Sequence, residues 1–197
     1  MKSVCVYCGS RMGSHPAYRM AAHDLALELV RREIRLVYGG GNVGLMGVVA
    51  STVMEAGGQV TGVIPGHLME RELGMEELTE LLVVPSMHQR KQEMADRADG
   101  FIALPGGMGT FEEMFEILTW FALGIHSKPC GLLNVEGFYD PLLHFLNHVE
   151  AEGFMHQPWR DLLLVNGHPG RLLDAMERWQ APEVKTLIEH HHAGPAV

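Results

Sequence analysis

FIALPGGMGTFEEMFEILTW, Phe101 to Trp120, carries three signals in one run. Phe101 to Leu104 is a short, continuously apolar stretch, as expected of a strand covered on both faces of a parallel sheet. Pro105, Gly106 and Gly107 interrupt it. Gly109 and Thr110 then open a helix whose apolar positions Phe111, Met114, Phe115, Leu118 and Phe121 recur at helical spacing. Strand, glycine turn and amphipathic helix together form the repeating unit of an open α/β sheet.

The same unit recurs on both sides of this run. Strands are predicted over Lys2–Cys8, Arg35–Tyr38, Gln59–Ile64, Leu81–Val84, Gly100–Leu104, Cys130–Asn134 and Leu162–Val165. Pro16 suits the first turn of a helix that carries Tyr18, Ala21, Ala22, Leu25 and Leu29 on one face. A second helix runs from Val43 to Ala56 and stops at Gly57–Gly58. Others are predicted from Ser86 to about Ala98, after Thr110, from near Asp140, and over Pro169–Trp179. The pattern predicts an α/β fold: a Rossmann-like, doubly wound, mostly parallel sheet with helices on both faces. No internal repeat or long linker divides it. Residues 1–180 read as a single nucleotide-binding catalytic domain, and 181–197, with Pro182 and His190–His192, as a flexible tail.

Composition narrows the function. Of 197 residues 47% are hydrophobic and 20% charged, which excludes a disordered chain, and the net charge of −9 argues against general binding of nucleic acid or of a membrane surface. No apolar run approaches the ~20 residues of a membrane span. Cys5 and Cys8 form a CxxC, but within a strand and its end. A redox CxxC opens a helix, and a zinc site needs further ligands, so these thiols and Cys130 read as core residues. The odd cysteine count and the lack of a signal peptide point to the cytoplasm. No metal site accompanies the loops, and the histidines of the tail are at most weak ligands.

Open α/β sheets bind ligands where their strands end. Here the first strand ends in Gly9–Ser10, the second in GGGNVGLMG (Gly39–Gly47), and the fifth in PGGMGT (Pro105–Thr110). Glycine lets main-chain N–H groups approach an anion, and a following helix N-terminus favours negative charge. Gly39, Gly41 and Gly44 match GxGxxG, but after the second strand rather than the first. The next strand ends Val63–Ile64–Pro65, without the acid that binds a dinucleotide ribose. The run therefore reads either as a tight turn with close packing or as a direct ligand contact. Thr110 and Glu113 form T-x-x-E, which is a capping box unless the carboxylate serves a bound ligand. In VVPSMHQRKQEMADRADG, Ser86 is a plausible N-cap. His88, Arg90 and Lys91 oppose the helix dipole, which suits either an anionic partner or a solvated face paired with Glu93, Asp96 and Arg97.

The two segments together resemble a known family. SMHQRK is similar to an MHxRK motif, and PGGMGTFEE matches PGGxGTxxE a short distance on, the paired signatures of the LOG family of cytokinin riboside 5′-monophosphate phosphoribohydrolases. VYCGSR, VYGGGNVGLMG, GVIPGHLMERE, LTWFALGIHSKP and GLLNVEGFYDPLL resemble family segments as well, so that the likeness spans roughly residues 1–165. It implies a homodimer that uses no cofactor and releases free base and ribose 5-phosphate from AMP-like purine nucleotides. By position it implies Arg90 and Glu113 as the catalytic pair. Glu72, Lys91, Gly106, Gly107, Met108, Gly109, Thr110, Phe111, Glu112 and Thr119 would bind substrate, joined by Ser10, Gly40, Gly41 and His88 at the strand ends and first helical turn. Arg11, where many relatives continue GSS, and GMEELTE (Gly74–Glu80), where relatives often read GETVGE, depart from the pattern.

The implied chemistry is consistent with the residues. N-glycoside cleavage passes through an oxocarbenium-like state, which a carboxylate at Glu113 can stabilise while it deprotonates water. Arg90 supplies a fixed cation for the nucleotide or the departing purine. Lysine decarboxylation, the label such proteins long carried, needs pyridoxal phosphate on a Schiff-base lysine. None of Lys2, Lys91, Lys128 and Lys185 has that setting. The alternatives are a non-catalytic nucleotide or cofactor carrier of the same fold, which would not need both Arg90 and Glu113, and a nicotinamide oxidoreductase, which lacks its ribose acid.

Overall fold

β1 (Ser3–Tyr7), β2 (Arg35–Tyr38), β3 (Val60–Pro65), β4 (Glu80–Val84), β5 (Phe101–Ala103), β6 (Cys130–Leu133) and β7 (Leu164–Asn166) form one sheet in the order β4-β3-β2-β1-β5-β6-β7. All six pairings are parallel. The computed structural model describes residues 1–69, 74, 75, 77–155 and 158–182. Between the strands run α1 (Pro16–Arg31), α2 (Gly44–Glu55), α3 (Met87–Asp96), α4 (Met108–Ala122) and α5 (Asp140–Ala151), and α6 (Pro169–Glu177) follows β7.

The inner strands β1, β2, β3, β5 and β6 are mostly apolar and buried because both faces are covered, whereas the edge strands β4 and β7 are only partly buried. Side chains alternate across a strand. Val4, Val6 and Cys8 therefore pack with Leu25 of α1, Val49 of α2 and Leu172 of α6, while Cys5 and Tyr7 pack with Met94 of α3, Met114 of α4 and Leu146 of α5. The same alternation places Cys5 and Cys8 on opposite faces, where they cannot meet. Both are free and buried, as is Cys130, and burial drives all three thiols well above their usual range.

The chain winds outward from β1 to β4. α3 then carries it back across the sheet to β5, on the other side of β1. The winding reverses between β1 and β5, and there the loops at the carboxyl ends diverge and leave a crevice.

Helix starts follow local chemistry. Pro16 occupies the first turn of α1, and His15 caps it, its ring Nδ1 accepting from Ala17 N at 3.2 Å. Ser86 caps α3 as its sequence suggests, accepting from Gln89 N at 3.2 Å. α4 departs from expectation. It begins at Met108 rather than after Thr110, its N-cap is Gly107, and no side chain caps it. Thr110 thus lies inside the first turn and Glu113 in the second, so the T-x-x-E capping box is not formed. The helix tolerates Gly109 although glycine costs a helix interior roughly 1 kcal/mol relative to alanine.

Candidate active site

Three strand ends are tied together through the main chain. Gly9 N donates to Pro105 O at 3.1 Å, and Leu45 N donates to Gly9 O at 3.0 Å, so the loops after β1, β2 and β5 hold one another. The approach is close enough to demand glycine. Gly44 has φ +55°, and a Cβ on it would overlap the main chain of Ser10 and Arg11. A Cβ on Gly106 would strike the Thr110 side chain, which is only 4% exposed. Above this floor, at the winding reversal, opens a cleft of about 280 Å³ bordered by Gly9, Ser10, Arg11, Tyr18, Gly106 and Phe138. Tyr18 and Phe138 meet edge to face at 5.7 Å and form its apolar wall.

Gly107 and Gly109 differ from Gly106. A Cβ on either would meet nothing within 4 Å, so no packing within the chain requires glycine there. They stand at the start of α4, whose first helical hydrogen bond is Phe111 N to Gly107 O at 3.1 Å. The N–H groups of Met108, Gly109 and Thr110 precede that bond and have no capping side chain. Uncapped donors, the positive end of a 15-residue helix and bare glycines beside a cleft make a receptor for an anion.

Arg90 comes from the face of the sheet that α3 and α4 share. Projecting from α3, its guanidinium donates through Nε to Val63 O at 3.1 Å and through Nη2 to Gly39 O at 2.9 Å, and the residue is 5% exposed. The charge is thereby fixed over the ends of β2 and β3. Gly39 is shaped for it, since a Cβ there would collide with Nη2. Half-buried Glu113 lies over β1. Burial first, then the charge of Glu113, pushes the Cys8 thiol up, while Cys5, raised chiefly by burial, also feels Glu113 raising it and Arg90 lowering it. A carboxylate and a guanidinium thus both act on Cys5 of β1, from two helices on one face of the sheet.

The other expected residues divide. Ser10 borders the cleft. Lys91 turns sideways to bind Glu112 at 2.5 Å and Glu116 at 2.9 Å, which pins α3 to α4. Burial lowers the Lys91 pKa, but the two carboxylates outweigh it and leave the ammonium above its usual range. Within SMHQRK, Arg90 turns inward, and Lys91 pairs with Glu112 and Glu116 of α4 rather than with Glu93 or Asp96 of its own helix. Gly40, in the left-handed region at φ +78°, and Gly41 are buried and turned toward the following segment. Gly40 O accepts from Met75 N at 3.0 Å, and Gly41 bridges Gly74. His88 is exposed, Met108 is 82% exposed at the helix start, and Phe111 turns inward onto Tyr139. Thr119 lies three turns along α4, exposed, its hydroxyl donating to Phe115 O at 2.7 Å. Glu72 lies outside the described residues. Tyr18 and Phe138, read from sequence as a core position and a family segment, prove to wall the cleft; the only sequence signal was their nearness to strand ends.

Fold and site together define a doubly wound α/β protein whose switch-point cleft is bordered by the loop that leads into an uncapped helix N-terminus, with a guanidinium and a carboxylate both acting on Cys5 of β1. Residues 46–176 match the family model described as "Possible lysine decarboxylase". Cytokinin riboside 5′-monophosphate phosphoribohydrolase LOG2 of Arabidopsis thaliana is 49% identical over 90% of this chain and 84% of its own. Cytokinin riboside 5′-monophosphate phosphoribohydrolase LOG of Oryza sativa subsp. japonica is 53% identical over 83% and 67%. Among solved structures, the Moco carrier protein of Chlamydomonas reinhardtii superposes with a TM-score of 0.67 over 90% of this chain and 96% of that one, at 20% identity, a likeness of fold alone. The chain belongs to the LOG family, whose motifs it carries as MHQRK and PGGMGTFEE.

Proposed function

We propose that this protein hydrolyses the N-glycosidic bond of purine nucleoside 5′-monophosphates, AMP or its N6-modified cytokinin forms, to free base and ribose 5-phosphate. The observation that carries the reading is the uncapped N-terminus of α4 in the switch-point cleft with Glu113 one turn further along the same helix. A 5′-phosphate held by the first-turn N–H groups sets the ribose beside that second turn, since Glu113 stands about 7.5 Å along the axis from Met108 at 1.5 Å per residue. As the bond from C1′ to the base nitrogen breaks, the sugar gains positive charge, which the Glu113 carboxylate stabilises. The same carboxylate accepts a proton from the water that attacks C1′. The electron pair of the broken bond leaves with the purine, and the Arg90 guanidinium, held by its two carbonyl partners, stabilises that charge.

Because the phosphate positions the sugar, its loss affects the chemical step and not binding alone. AMP is expected to release adenine with a kcat/KM roughly 10²-fold above that of adenosine, and EDTA is expected to leave the rate unchanged. Chromatographic detection of base from both substrates, with and without EDTA, checks this. Equal rates from AMP and adenosine would remove the phosphate anchor, and loss in EDTA would reveal a metal requirement.

A homodimer is part of this reading. Met108, Phe115, Thr119 and Leu123 are exposed at helical spacing along α4, and Ile125 just beyond is 63% exposed. A second copy would cover this apolar stripe and place Thr119 in the interface. Light scattering at micromolar concentration is expected to give twice the 21.8 kDa of one chain, and a single-chain mass would overturn the dimer. Among the described residues no helix is long and apolar enough to cross a membrane. Three free, buried cysteines suit the reducing cytoplasm expected from the sequence.

A further inference from the structure

The cations named by the family motif are both engaged within the protein. Arg90 donates to the carbonyls of Val63 and Gly39, and Lys91 is bound by Glu112 and Glu116. Arg11 differs. It borders the 280 Å³ cleft beside Gly106 and Gly107, and among the described residues it has no hydrogen-bond or ion-pair partner. Its main chain is firmly placed, because the Ser10–Arg11 peptide lies against Gly44, where not even a Cβ would fit, and Gly9 just before it is bonded to Pro105 and Leu45. The side chain thus starts from a rigid point at the rim of the anion receptor.

We infer that Arg11 is a substrate-specificity residue of this chain, its guanidinium closing over the 5′-phosphate that the N–H groups of α4 hold from below. The inference rests on the phosphoribohydrolase reading and adds to it the source of the countercharge. Main-chain donors bind an anion without neutralising it. A phosphate dianion entering there needs a cation. The planar fork of arginine matches two phosphate oxygens at once, which lysine does only as a point charge. Arg11 therefore favours substrates bearing a terminal phosphate over those without one, by acting on binding rather than on bond cleavage.

The test compares wild type with Arg11→Ala and Arg11→Lys in steady-state base release from AMP and adenosine, alongside calorimetric titration with inorganic phosphate. Arg11→Ala is expected to raise KM for AMP about tenfold, the effect of losing one charge-assisted contact, with a smaller change in kcat. The AMP-to-adenosine ratio of kcat/KM is expected to fall by a similar factor. Arg11→Lys is expected to recover part of the loss, and phosphate affinity to weaken in the same order. A KM for AMP and a phosphate affinity within twofold of wild type in Arg11→Ala would overturn the inference. If wild type releases no base from AMP, the phosphoribohydrolase reading fails, and the phosphate titration alone then decides the role of Arg11. Circular dichroism of the variants guards against misfolding, which the exposed position of Arg11 makes a minor concern.

Discussion

Replacing Glu113 by glutamine is expected to lower kcat for AMP by about 10²–10⁴-fold, the range for removing a general base that also steadies transition-state charge. Glutamine keeps the shape and most of the hydrogen-bonding capacity of the side chain but neither the charge nor the ability to take a proton. KM for AMP should change by much less, because the phosphate site proposed is the first turn of α4 and not Glu113. That separation marks a group acting in the transition state rather than in the ground state. α4 is capped by Gly107 without a side-chain bond, so the substitution removes no cap. The unfolding midpoint should shift by no more than about 3 °C, equivalent to ~1 kcal/mol in a chain of this size. Adenine release near the wild-type rate would remove Glu113 from the mechanism.

Arg90→Ala is expected to damage both stability and turnover. The guanidinium is buried, and its removal leaves the Gly39 and Val63 carbonyls without their donors. At about 1–3 kcal/mol for each of the two abandoned buried acceptors, the combined loss is roughly 2–6 kcal/mol, which lowers the unfolding temperature by several degrees or more. Loss of the fixed cation over the reacting centre should lower kcat by about 10²–10³-fold, comparable to deleting one preorganised donor. Arg90→Lys separates the two effects. A lysine keeps the charge and can serve one carbonyl, but it has no fork to span the ends of β2 and β3. It should recover much of the stability, read by calorimetry, while kcat stays at least tenfold down. A lysine variant with wild-type kcat would mean that charge alone matters and that the geometry set by Gly39 does not.

The fold was legible because burial on both faces makes the inner parallel strands nearly continuous apolar runs. Glycine and proline punctuated these runs closely enough that every predicted strand overlaps one in the sheet. β7 shows the limit: Leu162 and Leu163 are apolar and buried, yet they precede the strand, since hydrophobicity reports burial and not hydrogen bonding. The start of α4 was misplaced because two glycines are poor helix formers and Thr110 and Glu113 imitate a cap. The helix starts there on a glycine N-cap with no side-chain cap, against local propensity. In the candidate site, adjacent residues on one helix turn different ways, with Arg90 under the strand ends and Lys91 across to α4. Nothing local distinguishes them, because the partners lie 51, 27, 21 and 25 residues away in sequence. Arg11 stood out as a departure from the family pattern, but only the cleft supplied a reason for it.

The floor beneath the anion receptor is built from the amide of Gly9, the carbonyl of Pro105 and the amide of Leu45. Peptide groups are common to every residue type except for the proline nitrogen, so most substitutions leave such a lattice unchanged. A lineage can therefore explore new rim residues, and with them new ligands, while the floor persists beneath them. The exceptions are the crowded glycines, Gly44 and Gly106, where a single added methyl group would push the loops apart. Evolvability in this protein is unevenly distributed: wide at the rim where Arg11 sits, and nearly absent one layer below.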